Sequence, residues 1–302
     1  MRISSNQYQS VVLLAMQNSS AGMAELLQKM SSGKSMLAPS ENPIASVRLL
    51  RLQREEASLS QYRDNIGALK SKLSQNESLL DGIVSDLNNT RDILVAAANQ
   101  PAPEDLKAMA APLASLRDSL LFAANTKDSE GRYLFSGSAV NNASIQVDAS
   151  QPVGNRYSFN GNTDRQQVTV GEGVTQPSNV TLESMPALLN QLDKAIATLQ
   201  SPALNGNDPA VGATVRATMD SVDSALSKVS GSISELGGAQ NVLQTLDGNH
   251  NSLSLANQQS MLELGSLDYG TAFMNMNQLS MALQASQKAY GKVSQLTLFD
   301  AI

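Results

Sequence analysis

The stretch LSQYRDNIGALKSKLSQNESLLDGIVSDLNNTRDILVAA, residues 59–97, decides the fold. Apolar residues return every three or four positions, through Leu59, Tyr62, Ile66, Leu69, Leu73, Leu80, Ile83, Leu87, Leu94 and Ala97, and only Asn76 and Thr90 interrupt the stripe with polar groups. That alternation is the mark of an α-helix lying side by side with another helix. Asn42 is placed to cap its start, Pro43 fits a first turn where a missing N–H does no harm, and Gln100-Pro101-Ala102-Pro103 ends it. A single helix over residues 43–99 would be about 85 Å long, a rod rather than a globule.

Outward from this stretch the same spacing recurs. Leu106, Met109, Leu113, Leu116, Leu120 and Ala123 form a second run that fades at Thr126, and Pro112 inside it is expected to kink or divide the helix. A late run through Val215, Met219, Val222, Leu226, Val229, Ile233, Leu236, Gln240 and Leu243 follows the cap-and-proline sequence Asn207-Asp208-Pro209. The two ends carry stripes of their own: Val12, Met16, Ser19, Met23, Leu26 and Met30 at the start, and Tyr269, Ala272, Met276, Leu279, Leu283, Ser286, Tyr290 and Val293 at the finish. Each helix is polar outside its stripe, so burial against a facing helix, about 1.5–3 kcal/mol per aliphatic side chain, must hold it. The terminal stripes also contain Gly22, Gly265, Gly270 and Gly291 in or beside them, each weakening a helix by about 1 kcal/mol relative to alanine. They have only each other as partners within one molecule. Such a pair should be marginal in the monomer and should order against neighbouring subunits.

Between Ser138 and Thr181 the character changes to Gly, Pro, Asn and Thr with short period-two segments: Ile145 and Val147, Tyr157 and Phe159, Val168 and Val170. Asn160-Gly161-Asn162 supplies a turn signal between two of them. The expected fold is therefore mainly α, a long antiparallel coiled-coil-like bundle built from both chain ends, with a small β-rich insertion mid-chain.

Composition narrows the function. Hydrophobic residues make up 41%, Trp is absent and aromatics reach 4%, which suits close-packed aliphatic helices. Charged residues are 16%, below the roughly 25% of an average soluble domain; a polar but weakly charged surface desolvates readily in subunit contacts. The net charge of −6 argues against a nucleic-acid partner. Residues 1–54 hold six Lys or Arg against Glu25 and Glu41, but these bases are scattered. With no cysteine there is no disulfide framework, thiolate metal site or catalytic thiol. Val11–Met16 is shorter than a signal-peptide core and no run approaches a membrane span, so neither membrane insertion nor a cleaved hydrophobic signal is expected.

No catalytic constellation is visible. His250 is the only histidine and cannot complete a His-based zinc site; a solvated or capping role is expected for it. Gly131 and Gly137 frame a segment without the Gly-Lys-Ser/Thr ending of a phosphate loop. Asp81, Asp86 and Asp92 read as a solvated helix face. The chain is read as a non-enzyme with no cofactor and no metal.

Met30-Ser31-Ser32-Gly33-Lys34 followed by Pro39-Ser40-Glu41-Asn42-Pro43 resembles the N-terminal signature of the flagellin superfamily. Within it, this proline-framed segment, the opening Met1-Arg2-Ile3-Ser4 and Gly131-Arg132-Tyr133-Leu134-Phe135-Ser136-Gly137 resemble the flagellar hook-associated protein 3 family. Tyr157, Gly161, Arg165 and Val168 fit the looser pattern of its β domain, while Leu267-Asp268-Tyr269, Leu283-Gln284-Ala285-Ser286-Gln287 and Leu296-Thr297-Leu298-Phe299 are similar to its C-terminal helix. Asn42 stands where that pattern has a second aspartate, and Met30 where it has leucine, which removes any role needing a negative charge at position 42.

The resemblance implies a structural junction protein between hook and filament, required for filament assembly and motility. Residues 1–47 and 255–302 would form an inner coiled-coil assembly domain, 48–137 and 184–254 a helical rod, and 138–183 a solvent-facing β insertion. The assembly interface would run through Val12, Met16, Met23, Leu26, Met30, Tyr269, Met276, Leu279, Leu283, Tyr290, Val293 and Leu296. Implied partners are further copies of the chain, the preceding hook-associated protein, flagellin, and an export chaperone at the C-terminal helix. The implied location is the extracellular flagellum, reached through the flagellar type III apparatus. A flagellin filament subunit is the nearest alternative, and a secreted type III effector or translocator a more distant one.

Overall fold

The computed structural model describes residues 2–99, 102–202 and 208–299, with side chains placed at 7, 9–99, 102–202 and 208–292. Its elements in chain order are α1 (Arg2–Ser32), α2 (Pro43–Ala98), α3 (Pro103–Ala124), β1 (Ile145–Val147), β2 (Tyr157–Phe159), β3 (Gln167–Gly171), β4 (Val174–Pro177), α4 (Met185–Leu199), α5 (Pro209–Gly265) and α6 (Tyr269–Phe299). The fold is mainly α with a small β-rich insertion, as the alternating stripes require. The chain divides into two compact units, one of residues Met1–Leu59 and Asn251–Ile302, the other of Ser60–His250.

Within the second unit the α2 stripe is the spine of the core. Ile66, Leu69, Leu73, Leu80, Ile83, Leu87 and Leu94 are all buried, and the polar interruptions Asn76 and Thr90 are buried with them. Thr90 satisfies its hydroxyl on the Asp86 carbonyl at 2.7 Å. Neither polar atom of the Asn76 amide has a hydrogen-bond partner among the described residues. On α5, Val215, Val222, Val229, Leu236 and Leu243 are buried, with Met219, Leu226 and Ile233 packed at the edge of the same core.

Two helices differ from expectation. Pro112 neither divides nor ends its helix, and α3 runs unbroken from Pro103 to Ala124. Pro112 is exposed, and the burial of Leu106, Leu113 and Leu120 on the opposite side compensates for the missing backbone bond. Helix α4 lies outside the stripes described above, yet it buries Leu188, Leu189, Leu192, Ile196 and Leu199 and packs on α3 and β2. It also buries Asp193, which accepts from Arg117 at 3.1 Å and from the Gly154 N–H at 3.1 Å, so the carboxylate is paired as well as enclosed.

The insertion is two separate antiparallel hairpins. β1 pairs with β2 in the register Ile145↔Phe159 and Val147↔Tyr157, and β3 pairs with β4 as Gln167↔Pro177 and Val168↔Gln176, with a bulge between Thr169 and Gly171. Asn160-Gly161-Asn162 thus links strands of different sheets rather than closing a hairpin. Asn162 instead clamps the 136–138 turn, accepting from the Ser138 N–H at 2.7 Å and donating its own N–H to the Ser136 carbonyl at 3.1 Å. Ile145, Tyr157, Val170 and Leu182 belong to the same core as the helices, so the insertion shares that core instead of standing apart from it. His250 is neither solvated nor a cap. Its Nε2 lies 2.8 Å from the Val170 carbonyl and Asn65 donates to the Thr169 carbonyl at 2.8 Å, so α5 and α2 each hold the bulged edge of β3.

Candidate assembly surface

The stripes at the two ends of the chain meet in the first unit, where α1 packs against α6. Val12, Met16, Met23, Leu26 and Met30 on α1 and Met276, Leu279 and Leu283 on α6 are half-buried. Ala272, at 2% exposure, is the one fully buried side chain on either helix among the described residues. Tyr269 is 53% exposed, with its hydroxyl donating to the Met30 carbonyl at 3.0 Å, and Tyr290 is exposed. The side chains of Val293 and Leu296 lie outside the described residues. The pairing is real but incomplete: two helices can enclose only one side of each other.

A second set of apolar groups was not anticipated. Val11, Leu13, Leu14 and Leu27 on α1, and Phe273, Met274 and Met281 on α6, are exposed. Of the 21 exposed large hydrophobic residues described, 15 belong to this unit, although it holds little more than a third of the chain. Large exposed apolar surface on one unit marks a place that another surface covers. The adjacent pair Leu13-Leu14 and the off-stripe position of Met281 were the available signals.

The N-terminal motif builds a corner that joins the helices of this unit. Gly33, at φ +69°, ends α1 in the left-handed region, and its N–H donates to the Lys29 carbonyl at 2.8 Å. The chain then pairs with the α5–α6 connection: the Ser35 N–H donates to the Gly265 carbonyl and the Leu267 N–H to the Gly33 carbonyl, both at 2.9 Å. Ser31 and Ser32 are exposed on the last turn, as are Pro39, Ser40 and Pro43 beyond the corner. Glu41 organises the turn between them. One carboxylate oxygen accepts from the Leu37 and Ala38 N–H groups at 3.0 Å each, and the other pairs with Lys29 at 2.6 Å. The Lys29 hydrogen bond, helped by the Ala38 N–H, holds the Glu41 carboxyl below the usual carboxylate range. Asn42 caps α2 as expected, accepting from the Ala45 N–H at 3.1 Å. Asp268 does the same for α6, accepting from the Gly270 N–H at 2.9 Å and the Thr271 hydroxyl at 2.6 Å. Beside the corner lies an apolar groove of about 550 Å³ lined by Met36, Leu37, Leu49, Leu50, Met261 and Leu262.

The mid-chain motif belongs to the other unit and is a folding element. Leu134 and Phe135 are buried, Arg132 pairs with Asp128 at 2.9 Å and Glu130 at 2.8 Å, and Lys127 lies 4.6 Å over the Tyr133 ring. Gly131 and Gly137 both have positive φ and turn the chain at its two ends. Among the described residues no three His, Cys, Asp or Glu side chains cluster as metal ligands would.

Known proteins agree with this architecture. Residues 3–140 match the family model for the bacterial flagellin N-terminal helical region. The chain is 28% identical to flagellar hook-associated protein 3 of Escherichia coli (strain K12) over 315 residues, covering 99% of each chain. It is likewise 28% identical over 313 residues to flagellar hook-associated protein 3 of Salmonella typhimurium, again at 99% of each chain. A solved flagellar hook-associated protein from Vibrio parahaemolyticus is 34% identical and superposes with a TM-score of 0.67, over 75% of this chain and 100% of that one. FlgL of Xanthomonas campestris, at 15% identity, shares the fold with a TM-score of 0.61 over 70% of this chain and 99% of its own. With a relative of 34% identity fully covered, two curated relatives spanning the whole chain, and the motif residues placed at the corner of the terminal unit, the chain belongs to the flagellar hook-associated protein 3 family.

Proposed function

We propose that this chain is a non-enzymatic structural protein of the bacterial flagellum that joins hook to filament and assembles through its two ends. Its work lies outside the cell, in association with other flagellar components. The observation that carries the reading is the uneven distribution of apolar surface: α1 and α6 half-bury one stripe between them and leave Val11, Leu13, Leu14, Leu27, Phe273, Met274 and Met281 exposed, while no described leucine of the other unit is exposed. The half-buried set from Val12 to Met30 and from Met276 to Leu283, with Tyr269, Tyr290, Val293 and Leu296 along the same helix, is the assembly interface in this reading. Residues 1–47 and 255–302 act as the inner assembly domain, 48–137 and 184–254 as the helical rod and 138–183 as the insertion. Copies of the chain meet one another, the preceding hook-associated protein lies on the hook side and flagellin on the filament side. Before export through the type III apparatus, a chaperone covers the C-terminal helix, whose exposed Phe273, Met274 and Met281 need such cover in water.

The test is deletion of the gene followed by microscopy and analysis of the medium. Cells that keep hooks, lack filaments and release flagellin monomers are the expected result. Cells that lack filaments because flagellin itself is missing would identify a filament subunit, and normal filaments would end the reading.

A further inference from the structure

The first part of α2 carries charges that no described residue pairs. Arg48, Arg51 and Arg54 are exposed and have no ion pair among the described residues. By contrast Arg63, Arg91, Arg117, Arg132, Arg156 and Arg165 each have a carboxylate within 4 Å, and among arginines with placed side chains Arg216 is the other that lacks one. Ile44 and Val47, at 84% and 67% exposure, stand on the same outward side of the helix, while Leu49, Leu52 and Leu59 turn inward. Arginines interleaved with bare aliphatics make a strip that is poorly matched to water and well matched to a protein partner carrying acids.

The chain itself holds the complement. The unit containing this strip has eight bases and seven acids, and the other unit thirteen bases and twenty acids. On that second unit Asp81 and Asp92 are exposed and unpaired among the described residues. Eleven positions apart on α2, they are three turns from each other and so lie on one face. We propose that the Arg48–Arg51–Arg54 strip docks on the Asp81–Asp92 face of a second copy of this chain. The contact is heterologous, strip to face rather than strip to strip, and it propagates from copy to copy as a ring or tube requires. This rests on the self-assembly reading above and specifies which surfaces outside the terminal stripes carry it.

Three measurements test the contact in cells lacking the native gene. Arg48→Glu with Arg51→Glu should abolish filaments while the protein is still exported, and adding Asp81→Arg with Asp92→Arg to the same chain should restore them. The absence of cysteine from the chain makes a cross-link readable without background. Arg51→Cys combined with Asp92→Cys should yield a ladder of disulfide-linked multimers when isolated flagella are oxidised, and neither single variant should. If the glutamate variant melts below the parent, the cysteine pair alone decides. Filaments unaffected by charge reversal, or no rescue together with no ladder, overturns the proposal; in the second case the strip faces a different flagellar protein. Normal filaments in cells without the gene would instead refute the assembly reading on which this contact rests.

Discussion

Replacing Leu283 by proline separates assembly from folding. Leu283 is half-buried at the middle of α6, on the stripe that faces α1. Proline removes the N–H that donates to the carbonyl of Leu279 and drives its ring against that turn, which costs about 3 kcal/mol or more in a helix interior. Leu283→Ala keeps the helix and forfeits only partial burial, about 1 kcal/mol from the usual 1.5–3 for full burial. Neither loss should reach the other unit. The continuous core from Ile66 to Leu243 contains no residue of α1 or α6, so the perturbation falls on the terminal pair alone. The main thermal transition of the purified proline variant should therefore move by less than about 2 °C, while the helical signal falls as the ends fray. Complementation with that variant should give no filaments, and the alanine variant should be milder. Were the terminal helices part of the cooperative core, 3 kcal/mol would instead lower the transition by about 6–12 °C. That result would refute the separation of core and ends. A variant that melts normally and still builds filaments would show that the stripe is not an assembly surface.

Three further outcomes follow from particular atoms. A Cβ on Gly137 would lie 2.1 Å from the Asn162 carbonyl oxygen, whereas one on Gly131 meets nothing within 4 Å, and both positions have positive φ. Gly131→Ala should thus lose about 1–2 kcal/mol and Gly137→Ala about 2–5 kcal/mol; equal shifts in urea midpoint would deny the close approach. Asn76→Leu replaces a buried amide with no partner among the described residues and should raise stability by about 1–3 kcal/mol, while a loss in chemical denaturation would show the amide satisfied by ordered water. The Thr271 hydroxyl, with the Thr271 and Gly270 N–H groups, holds the Asp268 carboxyl below its ordinary value. Its cap on α6 is therefore fully present above the unfolded pKa near 4 and is lost as pH falls through the lower folded value. Circular dichroism should show acid fraying in the parent, and Asp268→Ala should already be frayed at neutral pH with little further change from this cap.

The α2 stripe was legible because period is a local property: every position from Leu59 to Ala97 on it is at least half-buried. The cap at Asn42 was legible for the same reason, since its partner is three residues away. Helix α4 carried Leu188, Leu192, Ile196 and Leu199 at helical spacing but sits after a β-rich segment and is only 15 residues long, so the change of character masked it. Of the two effects expected of Pro112, division of the helix does not occur, because the packing that steadies α3 comes from other helices. At the terminal unit, periodicity located the inner stripe and was silent on the exposed apolar residues outside it. Whether Leu14 or Met281 is covered, and whether Arg48 finds a carboxylate, depends on neighbours remote in sequence. Glu41 reads in sequence only as an acid between prolines, yet its hold on two N–H groups and Lys29 shapes the whole corner.

The two kinds of stripe differ in chemistry as well as in burial. From Ile66 to Leu94 the apolar positions of the α2 stripe are leucine and isoleucine at near-zero exposure, side chains with few rotamers that fix one arrangement. Half of the chain's 12 methionines, by contrast, fall on α1 and α6: Met16, Met23, Met30 and Met276 on the stripe between the helices, and Met274 and Met281 outside it. Methionine is unbranched and polarisable, and it packs acceptably against surfaces of different shape. A subunit that met only its own kind would gain from rigid, uniquely packed ends. In the assembly proposed above, a subunit that sits against hook-associated neighbours on one side and filament subunits on the other needs ends that repack, and must keep that adaptability away from the core that defines its shape. The leucine-built core and the methionine-rich ends divide those two requirements between separate parts of one chain.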